Sequence, residues 1–101
     1  MVGVVIAAGR AWARFDNGHV VFKAEIGSQT ESVGQIQGVW VHPDWRGRGL
    51  GAAGTATLAA AVLRSGRTAS LYVNDFNIAA RAAYHRIGFE QTGTYATVLL
   101  D

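Results

Sequence analysis

Apolar and polar positions alternate in short runs at both ends of the chain and follow a helical period in its middle. In residues 11–15, Ala11, Ala13 and Phe15 oppose Trp12, Arg14 and Asp16, a period of two that predicts a half-buried strand. Residues 20–26 repeat the pattern, with Val20, Phe22 and Ala24 opposed to Val21 and Lys23. Asp16-Asn17-Gly18-His19 between them signals a tight hairpin, because Asn and Gly accept the left-handed backbone of a two-residue turn. A polar stretch over 27–32 precedes a third strand over 33–41, in which Gly34 and Gly38 mark bulges or close backbone approaches.

From Gly51 to Arg64 the chain is rich in alanine and reads as a helix, with Leu58, Ala61 and Val62 on one face and Leu50 and Gly54 in the preceding turns. A glycine inside a helix costs about 1 kcal/mol relative to alanine, so Gly54 predicts close packing of helix on sheet. Gly66 ends this helix and a short strand covers 68–73. Asn77 caps a second helix over 78–87 that Gly88 terminates. Strands over 89–91 and 94–100 flank Gly93. Residues 2–8 read two ways: Val-Gly-Val-Val-Ile is strand-prone, whereas Ala7-Ala8-Gly9 looks like a helix end. The order β-β-β-α-β-α-β-β predicts an α/β fold with a mixed sheet, antiparallel at the start and with one helical crossover.

Composition narrows the function classes. At 101 residues the chain is a single domain. The longest uncharged apolar-leaning run, 50–63, is too short to span a bilayer. No basic region or cleavage pattern accompanies residues 2–8, so no signal peptide is read. With no cysteine, disulfides, thiolate metal sites and a cysteine nucleophile are excluded, and a cytoplasmic location is expected. The formal charge of +2 is too small a bias for nucleic-acid binding, which needs basic residues over a whole face.

Chemistry concentrates between the third strand and the first helix. Val39, Trp40 and Val41 close the strand, Pro43 breaks it, and Arg46-Gly47-Arg48-Gly49-Leu50-Gly51 leads into the helix. A strand, a glycine-arginine loop and a helix N-terminus make an anion site: glycines let amides close on phosphate oxygens and arginines add charge-assisted bonds. Gly49-Leu50-Gly51-Ala52-Ala53-Gly54 is literally G-x-G-x-x-G, with Asp75 downstream at a strand end, close to a dinucleotide-binding fingerprint. In that fingerprint the first glycine follows the strand at once. Here residues 42–48 intervene, and an antiparallel start with two helices leaves no room for a doubly wound sheet.

The same loop matches R-x-x-G-x-G, and with Val41-His42-Pro43 before it resembles the cofactor motif of the GNAT superfamily of N-acetyltransferases. Leu71-Tyr72-Val73-Asn74, Asn77, Ala80, Tyr84 and Gly88-Phe89 fit that family's second pattern. The resemblance runs from about Ala11 to the end. It implies a GNAT-like fold binding acetyl-coenzyme A, with the loop amides of Arg46, Gly47, Arg48, Gly49, Leu50 and Gly51 on the pyrophosphate. The backbone of Val39, Trp40 and Val41 would pair with the pantetheine arm as an added strand does, and an N–H there would meet the oxyanion. Asn77 and Tyr84, seven residues apart and hence about 10 Å apart on one helix face, would contact the pantetheine and the sulfur in turn. The resemblance makes Tyr84 the general acid for the leaving thiolate. Read alone, Asn77 is a helix cap and Tyr84 a core aromatic beside Ala80 and Ile87.

The implied activity is direct transfer of an acetyl group to a primary amine of a small molecule, a protein N-terminus or a lysine. No metal is implied. Family members often carry a glutamate where Gln35 stands, and the branch acting on protein N-termini often has one where Tyr72 stands. Glu25, Glu31, His42 and His85 remain as candidate bases; His42 beside Pro43 favours a surface role, and His85 is expected to face solvent. GNAT domains usually begin with a strand and two helices that build the acceptor pocket, and these are missing before Ala11. Residues 2–9 are then read as the tail of the second helix, the chain as the C-terminal portion of a longer protein, and self-association as homodimers is expected over the uncovered apolar surface. The alternative is a non-catalytic module that binds coenzyme A as a sensor or partner domain.

Overall fold

The computed structural model describes residues 5–8, 10–73, 78–91 and 96–99, with no side chains described for 5–8 and 96–99. Strands β1 (Val5–Ala8), β2 (Ala11–Asp16), β3 (His19–Gln29) and β4 (Val33–Val41) precede helix α1 (Leu50–Arg64). Strand β5 (Thr68–Tyr72), helix α2 (Ile78–Arg86), and strands β6 (Phe89–Gln91) and β7 (Ala96–Leu99) follow. They form one seven-stranded sheet ordered β1-β2-β3-β4-β5-β7-β6. The β4–β5 pair is parallel, bridged by α1, and every other pair is antiparallel. Residues 5–8 are a strand paired with β2 rather than a helix tail; the apolar Val5-Ile6 pair prevailed over the helix-end signal of Ala7-Ala8-Gly9.

Turn chemistry fixes the boundaries. Asn17 (φ 49°) and Gly18 (φ 79°) both lie in the left-handed region, as a type I′ turn between β2 and β3 demands. At the end of α1, Gly66 (φ 84°) lets its N–H reach Leu63 O at 2.9 Å and Arg67 N–H reach Val62 O at 3.3 Å, a complete Schellman motif. The predicted cap Asn77 and the Asn74–Asp75 loop lie outside the described residues.

The sheet is bent by bulges that a strict period of two does not foresee. Arg14 pairs with Phe22 but Phe15 with Val20, so Val21 is an extra residue and turns inward, only 1% exposed. The expected alternation placed it with Lys23. Similarly, Lys23 pairs with Trp40 and Glu25 with Gln37, which sets Gly38 and Val39 together against Ala24; Gly38 takes φ 64° there. Gly34 is the close approach: a Cβ on it would lie 3.0 Å from Val62 Cγ1.

α1 covers the face of the sheet formed by Phe22, Ala24, Ile26, Ile36, Ala69 and Leu71, using Leu50, Gly54, Thr55, Leu58, Ala59 and Val62. Ala61, expected on this face, sits at its margin, and Thr55 and Ala59 take the centre. Gly54 is needed by contact, because a Cβ there would fall 2.3 Å from Phe22 Cζ, on a ring 1% exposed. Gly54→Ala gains about 1 kcal/mol of helix propensity but overpacks the core by about 1–3 kcal/mol. A net loss is expected, lowering Tm by several degrees, and Phe22→Leu in the same chain should recover part of it. A Gly54→Ala protein that melts higher than the wild type would contradict this packing.

Candidate active site

β4 and β5 pair only from Val33↔Thr68 to Ile36↔Leu71. Beyond Ile36 they part: β4 continues to Val41, still held by β3 through Phe22↔Val41, while β5 ends at Tyr72. Along residues 37–41 the β4 edge facing β5 therefore has no strand partner among the described residues, and its backbone groups are left to something else. The Gly38–Val39 bulge lies in this stretch.

The loop after β4 is folded back on its own start. His42 Nδ1 accepts the Asp44 N–H at 3.1 Å and caps a short 3-10 turn, Pro43–Trp45. Arg46 Nε donates to Val41 O at 3.0 Å, tying the loop to the strand end. Gly47 and Gly49 both take φ 78°, with nothing within 4 Å of where a Cβ would stand; the conformation requires glycine and the space beside it is open. Gly49 is the N-cap of α1 and supplies no side-chain bond. The first helical bond runs from Ala53 N–H to Gly49 O at 3.0 Å, so the amides of residues 50–52 emerge from the helix end without intrahelical acceptors. No acidic residue stands in the first turn, leaving the positive end of the helix dipole available to an anion.

These features converge. A cleft of about 490 Å³ is lined by Val39, Trp40, Val41, Arg46, Gly47, Gly49, Leu50, Gly51 and Tyr84, among others. A second hollow of about 210 Å³, between β4 and β5, shares Val39, Ala80 and Tyr84 with it, so the two form one groove from the helix end to the fork in the sheet. Arg48 alone of the predicted loop residues does not line the cleft: its guanidinium stacks on Trp45, 5.0 Å from the ring centroid. Asn77 lies outside the described residues.

Tyr84 projects from α2 into this groove and packs against Phe89, ring centroids 6.1 Å apart. Tyr84 is thus a partly buried aromatic packed against the core and, at the same time, part of the groove wall. Burial pushes its phenol above the ordinary value of 10, while the neighbouring Thr55 hydroxyl pulls the other way. Thr55 is fully buried, yet its Oγ1 makes no hydrogen bond of regular geometry. The phenol is therefore held protonated throughout the neutral range, the state a proton donor needs.

The candidate bases separate by position. Gln35 lies in the paired part of β4, opposite Ser70. Glu31 is exposed in the loop after β3. His42 is engaged by Asp44 and meets Trp40 edge-on, with centroids 6.0 Å apart. His85 lines a different hollow, beside Ile78 and Arg81. Tyr72 is 68% exposed at the mouth of the fork. Glu25 stands beside the bulge. Among the described residues no cluster of His, Cys, Asp or Glu could hold a metal.

Sequence reasoning set Tyr84 of α2 against the cofactor but missed the rest of the wall that this helix supplies. Ala79, Ala83 and Arg86 line the cleft at i, i+4 and i+7, a helical stripe that was legible as small residues ending in a cation. Trp45 and Ala52 line it too, and nothing in their spacing distinguished them.

A mixed sheet forked at its parallel pair, with a glycine loop leading into the crossover helix, defines the acyl-coenzyme A N-acyltransferase fold of the GNAT superfamily. Within it, the chain belongs to the FR47-like protein family, whose model matches residues 23–98. No curated protein matches it. A Klebsiella pneumoniae protein described as an acyl-CoA N-acyltransferase is similar at TM-score 0.74 and 26% identity, over 88% of this chain and 70% of that one. A GNAT family acetyltransferase from Elizabethkingia anophelis with acetyl-CoA bound gives TM-score 0.78 at 8% identity, over 88% and 74%. The PaiA N-acetyltransferase of Thermoplasma acidophilum in complex with coenzyme A gives 0.75 at 14% identity, over 90% and 60%.

Proposed function

We propose that the chain transfers an acetyl group from acetyl-coenzyme A directly to a primary amine. The observation that carries this reading is the continuity between the unpaired β4 edge at residues 37–41 and the uncapped N-terminus of α1. An extended amide-bearing arm ending in phosphates complements both at once. The fit is chemical: the amides around Gly47, Gly49 and Gly51 would take the pyrophosphate, with Arg46 and Arg86 as flanking cations. Val39, Trp40 and Val41 would bond the pantetheine amides as an added strand, and Asn77 would add a side-chain contact. Arg48, stacked on Trp45, would reach the phosphates only at the loop's outer rim.

At the far end of the groove the thioester carbonyl would lie against the bulge. An N–H freed there by the Gly38–Val39 irregularity would stabilise the oxyanion that forms when the amine nitrogen attacks. As the C–S bond breaks, the protonated Tyr84 phenol would supply the proton to the leaving thiolate. None of the described helices is long and apolar enough to cross a membrane.

The test is release of free coenzyme A thiol from acetyl-coenzyme A against an amine panel, with calorimetry of cofactor binding alongside. Amine-dependent release at micromolar binding is the expected result. Binding without release in any amine would instead identify a coenzyme A-binding module, and absence of binding would dispose of both readings.

A further inference from the structure

The face of the sheet opposite α1 carries another hollow, of about 380 Å³, lined by Ala11, Ala13, Phe15, Lys23, Glu25 and Gly38, among others. It touches the groove at one residue, Gly38, which lines this hollow and the fork alike. Gly38 has no side chain to separate the two. A Cβ built there would meet nothing but the Glu25 side chain, its Oε1 at 3.7 Å. The carboxylate of Glu25 therefore stands where the hollow opens towards the bulge.

That carboxylate is held in place. Gln37 Nε2 donates to Glu25 Oε1 at 3.1 Å, across the β3–β4 pair in which the two residues stand opposite each other. The Gln37 amide lies directly over Gly27, in the space that any Cβ there would fill, so a glycine on β3 is what lets the amide cross to Glu25. Among the described residues, the charged groups near Glu25 are Lys23, two residues along the same strand, and Arg10, whose Nη1 donates to Gly27 O at 3.4 Å. Lys23 Nζ is drawn towards Trp40, 5.9 Å from its ring centroid. The hollow is otherwise formed by small and aromatic side chains.

Resting on the acetyl-transfer reading above, we infer that this hollow is the acceptor site, that Glu25 receives the acceptor's ammonium group in a charge-assisted hydrogen bond, and that the acceptor is a compact monoamine with an apolar or aromatic body. One carboxylate matches one ammonium, the apolar walls match a hydrophobic body, and Lys23 opposes a second positive charge. For transfer the ammonium gives up one proton, to Glu25 or through it to solvent. The neutral nitrogen then forms the C–N bond at the carbonyl, and the C–S bond breaks with the thiolate taking the Tyr84 proton. The amide nitrogen's surplus proton restores the phenol, so the net proton goes to solvent.

The experiment compares phenethylamine with spermidine as acceptors, in wild type and Glu25→Gln, measuring KM, kcat and the calorimetric Kd of acetyl-coenzyme A. Wild type is expected to favour phenethylamine at least tenfold in kcat/KM. Glu25→Gln, an exposed and nearly isosteric change, should raise KM for phenethylamine about tenfold and leave the acetyl-coenzyme A Kd unaltered. An unchanged KM, or spermidine as the better acceptor, overturns the inference. A wild type that binds acetyl-coenzyme A but acetylates neither amine also overturns it while leaving the cofactor site standing. If a second copy of the chain covers this face, the protein sediments as a dimer closed to phenethylamine, which is equally fatal. A wild type that fails to bind acetyl-coenzyme A removes the underlying reading as well.

Discussion

Gly49→Asp is expected to weaken acetyl-coenzyme A binding at least 100-fold while the protein stays folded. The position tolerates the change structurally, since a Cβ on Gly49 meets nothing within 4 Å. Its φ of 78° costs a substituted residue about 1–2 kcal/mol, less for aspartate, which visits the left-handed region more readily. Aspartate at a helix N-cap also recovers stability by accepting amides of the first turn. Those are the amides proposed to hold the pyrophosphate, so the carboxylate would occupy the anion site with a charge of the wrong sign. A 100-fold loss corresponds to about 2.7 kcal/mol, well within the repulsion of two charges about 4 Å apart near a protein surface. Gly49→Ala, which brings the backbone strain without the charge, should lose about tenfold or less. Calorimetric titration of the three proteins, with melting curves to confirm folding, is the measurement. Equal affinity in wild type and Gly49→Asp would remove the loop from the binding site.

How much of this could be read from the chain depends on the kind of signal. Turns were legible residue by residue, because Asn17-Gly18 and Gly66 are demanded by local backbone geometry. The strand–loop–helix order around Arg46 to Gly51 was legible too, as glycines at fixed spacing have few uses before a helix. What escaped was set by pairing across strands. The extra residue at Val21 and the bulge opposite Ala24 arise from register with β2 and β4, and a single strand's alternation carries no trace of its partner. Gly54 was correctly read as a packing glycine, but its cause, the Phe22 ring, lies 32 positions away. The juxtaposition of Glu25, Gln37 and Gly27 was hidden for the same reason: β3 and β4 bring them together only after the fold has formed. Residues 5–8 went astray where two local signals competed and pairing with β2 decided.

Tyr84→Phe is expected to lower turnover about 100-fold or more, the range that a positioned proton donor contributes, with the acetyl-coenzyme A Kd changed less than about twofold. Phenylalanine keeps the ring against Phe89 and the wall of the groove, so only the hydroxyl and its proton are removed. The pH behaviour separates this from a packing effect. Burial raises the phenol above its ordinary value of 10, so below that value both the folded and unfolded chains hold the proton and the group contributes no pH dependence. As pH rises through 10, the unfolded chain ionises first and wild-type stability falls, until the folded phenol ionises as well. Tyr84→Phe should lack that increment of alkaline destabilisation, and denaturant melts of both proteins above pH 10 measure the difference. Turnover should show the matching sign: the wild type loses activity on an alkaline limb as the phenol ionises, and that limb is absent from the residual activity of Tyr84→Phe. The buried Thr55 hydroxyl sharpens the argument, because a polar atom without a regular hydrogen bond in an otherwise apolar helix face costs stability and its neighbour in the groove is this phenol. Unchanged turnover in Tyr84→Phe, with the alkaline limb intact, would assign the proton to another donor and leave Tyr84 a wall residue only.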